Sequence, residues 1–103
     1  MPDLFDLTGQ TAVVTGGSKG LGLEMAYALA EAGANIVLGA RTEVAVKAAA
    51  AELQEATGRS ARGFVLDVTQ PESCAAFVAA ILAEFGRSDI LINNAGINIR
   101  GPI

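Results

Sequence analysis

Histidine and tryptophan are absent from this sequence, and Cys74 is its only cysteine. Without histidine there can be no Ser-His-Asp triad and no zinc site of the usual Cys/His type, and one thiol cannot close a disulfide within the chain. A lone free thiol suits a reducing compartment, so the expected location is the cytoplasm. Basic residues are also few: seven Lys and Arg stand against eleven Asp and Glu, for a net charge of −4. They are scattered rather than clustered, which argues against a nucleic acid partner, since phosphate backbones are bound by grouped cations. No apolar run approaches the roughly 18 residues needed to span a bilayer, so no membrane partner is expected either. The first nine residues include Asp3 and Asp6 and have neither a basic start nor a long apolar stretch, unlike a secretory signal. Met1 to Leu7 reads as a lead-in.

What is there is apolar and rich in alanine. The 103 residues are 51 % hydrophobic and 17 % charged, which excludes a disordered chain and provides for one core and no second domain. From Thr11 onward, short β-branched runs alternate with longer periodic ones. Thr11 to Thr15 reads as a buried parallel strand. A helix follows, with Leu21, Met25, Ala28, Leu29 and Ala32 expected on its inner face and Gly33 at its end. The second strand is expected at Asn35 to Ala40. The next helix runs from an N-cap at Thr42 through Val46 and Leu53 to Thr57 and Gly58. The third strand is placed at Gly63 to Asp67. Thr69 and Glu72 are spaced as a capping box for a third helix, with Val78, Ile81, Leu82 and Phe85 inward and Gly86 at its close. Asp89 to Asn93 is the fourth strand. Right-handed crossovers between such strands give an α/β fold, a doubly wound parallel sheet in the order 3-2-1-4 with helices on both faces.

The chemistry is expected at the ends of these strands. Thr15-Gly16-Gly17-Ser18-Lys19-Gly20-Leu21-Gly22 falls where the first strand turns into the first helix. Glycines there let a backbone approach a pyrophosphate closely, while the free N–H groups of the helix start attract its charge. An ordinary flexible turn is the alternative; position at the head of a βαβαβ series favours phosphate binding. A P-loop is excluded, because Lys19 is followed by Gly20 rather than by Ser or Thr. Asp67, at the end of the third strand, reads either as a solvated carboxylate or as an acceptor for an exocyclic amine. Asn93 reads as a residue tying the fourth strand to its neighbours.

The pattern Thr-Gly-x-x-x-Gly-x-Gly from Thr15 and the run Asn93-Asn94-Ala95-Gly96 together resemble the short-chain dehydrogenases/reductases, and the likeness extends from about Phe5 to the end of the chain. It implies a Rossmann fold, of which residues 1–103 would be the nucleotide-binding amino-terminal part with the catalytic part absent. It implies that Gly16, Ser18, Lys19 and Leu21 belong to the turn that lines the phosphates and ribose. Asp67 and Val68 would meet the adenine, and Asn94, Ala95 and Gly96 would pass along the adenosine ribose. An NAD enzyme of this kind presents an acid at the end of the second strand. Here Gly39-Ala40-Arg41 has none, and Arg41 can fork onto a ribose 2′-phosphate with Lys19 as a second cation, so NADP(H) is expected over NAD(H).

The family's catalytic Ser and Tyr-x-x-x-Lys are missing from these residues. The only tyrosine, Tyr27, is followed four residues on by Glu31 and reads as a helix packing or surface residue. No catalytic or metal residue is therefore assigned. The expectation is a full-length NADP(H)-dependent oxidoreductase that moves a hydride between nicotinamide and a carbonyl or secondary alcohol. It would act on a small-molecule substrate as a homo-oligomer, and the 103-residue chain alone would be inactive. The alternative is a non-catalytic nucleotide-binding module.

Overall fold

The computed structural model describes residues 6–16 and 19–93. The elements run β1 (Thr11–Thr15), α1 (Gly20–Glu31), β2 (Asn35–Ala40), α2 (Glu43–Thr57), β3 (Ala61–Val65), α3 (Pro71–Phe85) and β4 (Ile90–Asn93). The four strands form one parallel sheet in the order β3-β2-β1-β4, as the crossover rule requires. Crossovers from β1 to β2 and from β2 to β3 travel in the same direction and set α1 and α2 on one face. The crossover from β3 to β4 reverses direction and sets α3 on the other.

Alternation along the strands divides the core accordingly. Ala12 and Val14 of β1 and Ile36, Leu38 and Ala40 of β2 pack with Val46, Ala50 and Leu53 of α2. Val13 and Val37 point the other way, onto Leu66 and the α3 residues Phe77 and Ile81. Asn93 ties β4 to β1 by accepting a hydrogen bond from the Thr15 hydroxyl at 3.0 Å. The outer edge of β3 is covered from α2. Gln54 Oε1 accepts from the Ala61 amide at 3.0 Å, and Lys47 Nζ donates to the Gly63 carbonyl at 3.2 Å, which satisfies groups that would otherwise invite another strand.

Several expectations from sequence are corrected. The buried stripe of α1 is Gly22, Ala26 and Ala30, and Leu21 and Ala28 are exposed. Small residues let this helix lie close to the sheet, and that gain outranks the pull of larger apolar side chains, of which Leu23, Tyr27 and Leu29 pack at the margins. On α3 the fully inward residues are Phe77 and Ile81, while Val78 and Leu82 are exposed, one position around the helix. β3 begins two residues earlier than expected: Ala61 is small enough to be missed as a core residue, yet it is buried in the cluster under α2, and Gly63 lets the helix backbone come close. Asp67 lies beyond its end. β4 begins at Ile90, with Asp89 just outside. The capping box does not form: Gln70 is the N-cap of α3, and Thr69 bonds backwards to Asp67 instead. Thr42 caps α2 without a side-chain bond.

Candidate functional site

The four parallel strands point the same way, and the connections that leave β1, β2 and β3 line a cleft of about 320 Å³. In open parallel sheets this is where ligands bind, because loops diverge to opposite faces and leave a crevice between them. From the β1–α1 connection come Gly16 and Lys19. From the end of β2 come Gly39, Ala40, Arg41 and Thr42. The segment after β3 adds Leu66, Asp67, Val68 and Thr69.

Local geometry explains each position. The Gly16 amide donates to the Gly39 carbonyl at 2.7 Å, which prolongs the β1–β2 ladder by one step. Gly16 itself sits at φ 67°, turning the chain out of the sheet in a conformation that a residue with a Cβ rarely takes. Gly20 opens α1 at φ 64° with open space where a Cβ would be. Lys19, between them, is the extended N-cap of α1 and makes no side-chain capping bond there. Among the described residues no side chain caps the first-turn amides of α1, and such groups favour an anion.

Asp67 is the most constrained polar residue of the cleft. Its Oδ1 accepts from the Thr69 amide at 3.0 Å and from the Thr69 hydroxyl at 2.6 Å. Its own amide donates to the Ser73 hydroxyl at 2.9 Å, which joins the segment after β3 to the first turn of α3. The Thr69 hydroxyl, and then the Thr69 amide, hold the carboxyl below the usual aspartate range. Partial desolvation opposes them, and the Arg41 guanidinium lends a weaker pull in the same direction as Thr69. Asp67 is therefore a carboxylate at neutral pH, facing the same space as two cations.

The cleft gathers Gly16, Lys19, Arg41, Asp67 and Val68 of the residues singled out in the sequence. Leu21 is not among its lining residues and is 60 % exposed. Ser18, Asn94, Ala95 and Gly96 lie outside the described residues. Sequence reasoning passed over Gly39, Thr42, Leu66 and Thr69. For Thr69 the signal was present, since Asp followed two residues later by Thr is an Asx-turn spacing that competes with the capping reading. Among the described residues no group of three or more His, Cys, Asp or Glu could hold a metal ion, and no helix is long and apolar enough to cross a membrane. Tyr27 packs at the margin of the α1–α2 core.

Residues 10–103 match the family model described as short chain dehydrogenase. Gluconate 5-dehydrogenase of Gluconobacter oxydans (strain 621H) is 46 % identical over 102 residues, which are 99 % of this chain and 40 % of that protein. The crystal structure of L-sorbose reductase from Gluconobacter frateurii, complexed with NADPH and L-sorbose, superimposes with a TM-score of 0.86 at 39 % identity. It is covered over 96 % of this chain and 38 % of its own. An NAD+-bound xylitol dehydrogenase superimposes with a TM-score of 0.82 at 38 % identity, over 87 % of this chain and 34 % of its own. The chain thus spans about two fifths of the length of the relatives it matches. A glycine turn at the end of β1, a parallel 3-2-1-4 sheet and a match over nearly the whole chain point one way: the protein belongs to the short-chain dehydrogenase family.

Proposed function

We propose that these residues form the NADP(H)-binding part of an oxidoreductase, which in its full length transfers a hydride between nicotinamide and a carbonyl or secondary alcohol of a small molecule. The observation that carries the cofactor reading is the company in the cleft. Ala40 ends β2 where a ribose-binding acid would stand, and Arg41 and Lys19 line the same space. A guanidinium can meet a 2′-phosphate with two parallel hydrogen bonds, and an ammonium adds a point charge.

The residues present fit the group. Gly16 and Gly20 permit close backbone approach, the start of α1 favours a phosphate, and Asp67 and Val68, which line the same cleft, would meet the adenine. When bound, the nicotinamide would supply the hydride chemistry; these residues bind and orient the nucleotide and supply no acid or base to the reaction. The tyrosine and lysine of the family's catalytic pattern would come from sequence other than this, and the 103-residue chain by itself would be inactive. Similar structures hold NADPH in one case and NAD+ in another, so the preference is read from Arg41, Lys19 and Ala40 rather than from likeness.

The test is Arg41→Asp in the full-length protein. A charge-assisted contact contributes about 1.5 to 3 kcal/mol, so the ratio of NADP(H) to NAD(H) affinity should fall by about 10- to 150-fold. Titration of both cofactors against both proteins measures it. An unchanged ratio would mean that Arg41 does not read the 2′-phosphate.

A further inference from the structure

The turn Asp67-Val68-Thr69 has a twin. At Asp6-Leu7-Thr8, Asp6 Oδ1 accepts from the Thr8 amide at 2.9 Å and from the Thr8 hydroxyl at 2.6 Å, nearly the same pair of bonds that Thr69 makes to Asp67. The turn alone is therefore a local backbone device. What separates the second instance is its setting. All three of its residues line the cleft beside Arg41 and Lys19, and the Ser73 hydroxyl holds the Asp67 amide from below. With both Thr69 donors directed at Oδ1, Oδ2 receives no hydrogen bond among the described residues. Cys74 approaches only the Asp67 carbonyl, at 3.9 Å.

We propose that Thr69 is a positioning residue for base recognition, fixing Asp67 by Oδ1 so that Oδ2 is presented to the exocyclic amine of an adenine. This rests on the nucleotide-binding reading above, in which Asp67 meets the adenine, and adds to it the residue that holds that carboxylate in place. A carboxylate oxygen can only accept. It thus complements an amine, gains nothing from an unsubstituted ring carbon, and repels a carbonyl. A carboxylate free to rotate would offer either oxygen in many orientations and lose rotamer freedom on binding; the Thr69 bonds remove that cost in advance.

The test is a cycle of protein variant against base, run on the full-length protein with NADP+ and with its analogue carrying unsubstituted purine in place of adenine. The wild type should bind NADP+ about 10-fold or more tightly than the analogue, as expected for a hydrogen bond to a charged acceptor. Thr69→Val removes the hydroxyl and keeps the shape. It should weaken NADP+ by about 3- to 10-fold, the scale of one hydrogen bond, and leave the analogue within about twofold. Thr69→Ser should restore NADP+ binding, and Thr8→Val, which breaks the twin turn, should change neither affinity. Equal weakening of both nucleotides by Thr69→Val would reduce Thr69 to a structural role and overturn the proposal. So would a wild type that does not distinguish the two bases, although the cofactor reading would survive that result. A wild type that binds neither nucleotide would bring down both.

Discussion

The two faces of the sheet are built to different standards. Under α1 and α2, Ile36, Leu38, Val46 and Leu53 have no exposure at all, and the helix residues between them are mostly alanine, so that the backbones come close. Under α3, Val13 and Val37 are as well buried by the sheet, but Val78 and Leu82 are more than half exposed. An apolar cleft of about 460 Å³ opens between α3 and the β1–β4 side of the sheet, past Phe77, Ile81 and Leu91. The difference follows from topology, since two crossovers load one face and one crossover loads the other. The lesson is that burial of the strands does not measure the completeness of a face; the packing of its helices does.

Two glycines give the sharpest way to break that comparison. On the α2 face, a Cβ at Gly63 would run into the carbonyl oxygen of Val46 and lie 2.8 Å from its carbon and 3.1 Å from the Lys47 nitrogen. All three atoms are helix backbone, so relief requires α2 to lift from β3. On the α3 face, a Cβ at Gly39 would meet Phe77 Cζ at 2.6 Å, Phe77 Cε1 at 2.7 Å and Leu66 Cδ2 at 3.1 Å. These are side-chain ends beside an open cleft and can move. Gly63→Ala should cost about 1 to 3 kcal/mol, the range of overpacking in a closed core, and Gly39→Ala clearly less. Urea midpoints of the two variants decide it. Equal costs, or a larger one at Gly39, would mean that the α3 face is as rigid as the other.

The same contrast explains what was legible in the sequence. Element order, sheet order and the positions of β1, β2 and α2 follow from β-branched runs and helix periodicity, which are local. The inward faces of α1 and α3 were misread because hydrophobicity was taken as the guide. On α1 the guide is smallness, at Gly22, Ala26 and Ala30, a property of how close the sheet comes. On α3 an incompletely covered face leaves Val78 and Leu82 in water, so no burial pattern marks the choice between Phe77 and Val78. In the cleft, Gly16, Lys19, Arg41, Asp67 and Val68 were visible as motif residues at strand ends. Thr69 was not assigned to it, because its two possible partners, Glu72 ahead and Asp67 behind, have equally good local spacing.

A second, smaller effect concerns pH. β4 is pinned to β1 at its start by Asp89, whose Oδ2 accepts from the Thr11 amide at 2.8 Å while its own amide donates to the Thr11 carbonyl at 2.9 Å. Arg87 bonds both carboxylate oxygens, at 2.7 and 2.8 Å. The Arg87 hydrogen bonds, and then the Thr11 amide, hold Asp89 below its ordinary value. A carboxyl whose pKa is lower folded than unfolded adds stability that is complete above the unfolded value. That stability is lost as pH falls through the folded one, here below about pH 4. The buried cluster under α1 and α2 contains no titrating side chain. Asp89→Asn should therefore flatten the acid limb of the stability curve. Asp6 and Asp67, lowered in the same sense, should keep part of the slope. Parallel curves for wild type and variant would show that the Arg87–Asp89–Thr11 clamp does not couple the sheet to pH.

The smallest effect, at Val78, is read from one chemical change made once on each face. Val46→Thr and Val78→Thr both replace a methyl by a hydroxyl at nearly constant volume. Val46 is wholly buried against the sheet and Val78 is 53 % exposed. At Val46 the hydroxyl would lose water. Its available local partner is the Thr42 carbonyl one turn back, which already accepts the Val46 amide at 3.0 Å, so a cost of about 1 to 3 kcal/mol is expected. At Val78 the hydroxyl stays hydrated, so the change should fall within about 0.5 kcal/mol, the usual range for a surface position. Thermal or urea denaturation of the chain measures both. A cost at Val78 approaching that at Val46 would mean that the exposed side of α3 is covered when the chain is in solution, and the contrast between the two faces would then belong to the isolated chain alone.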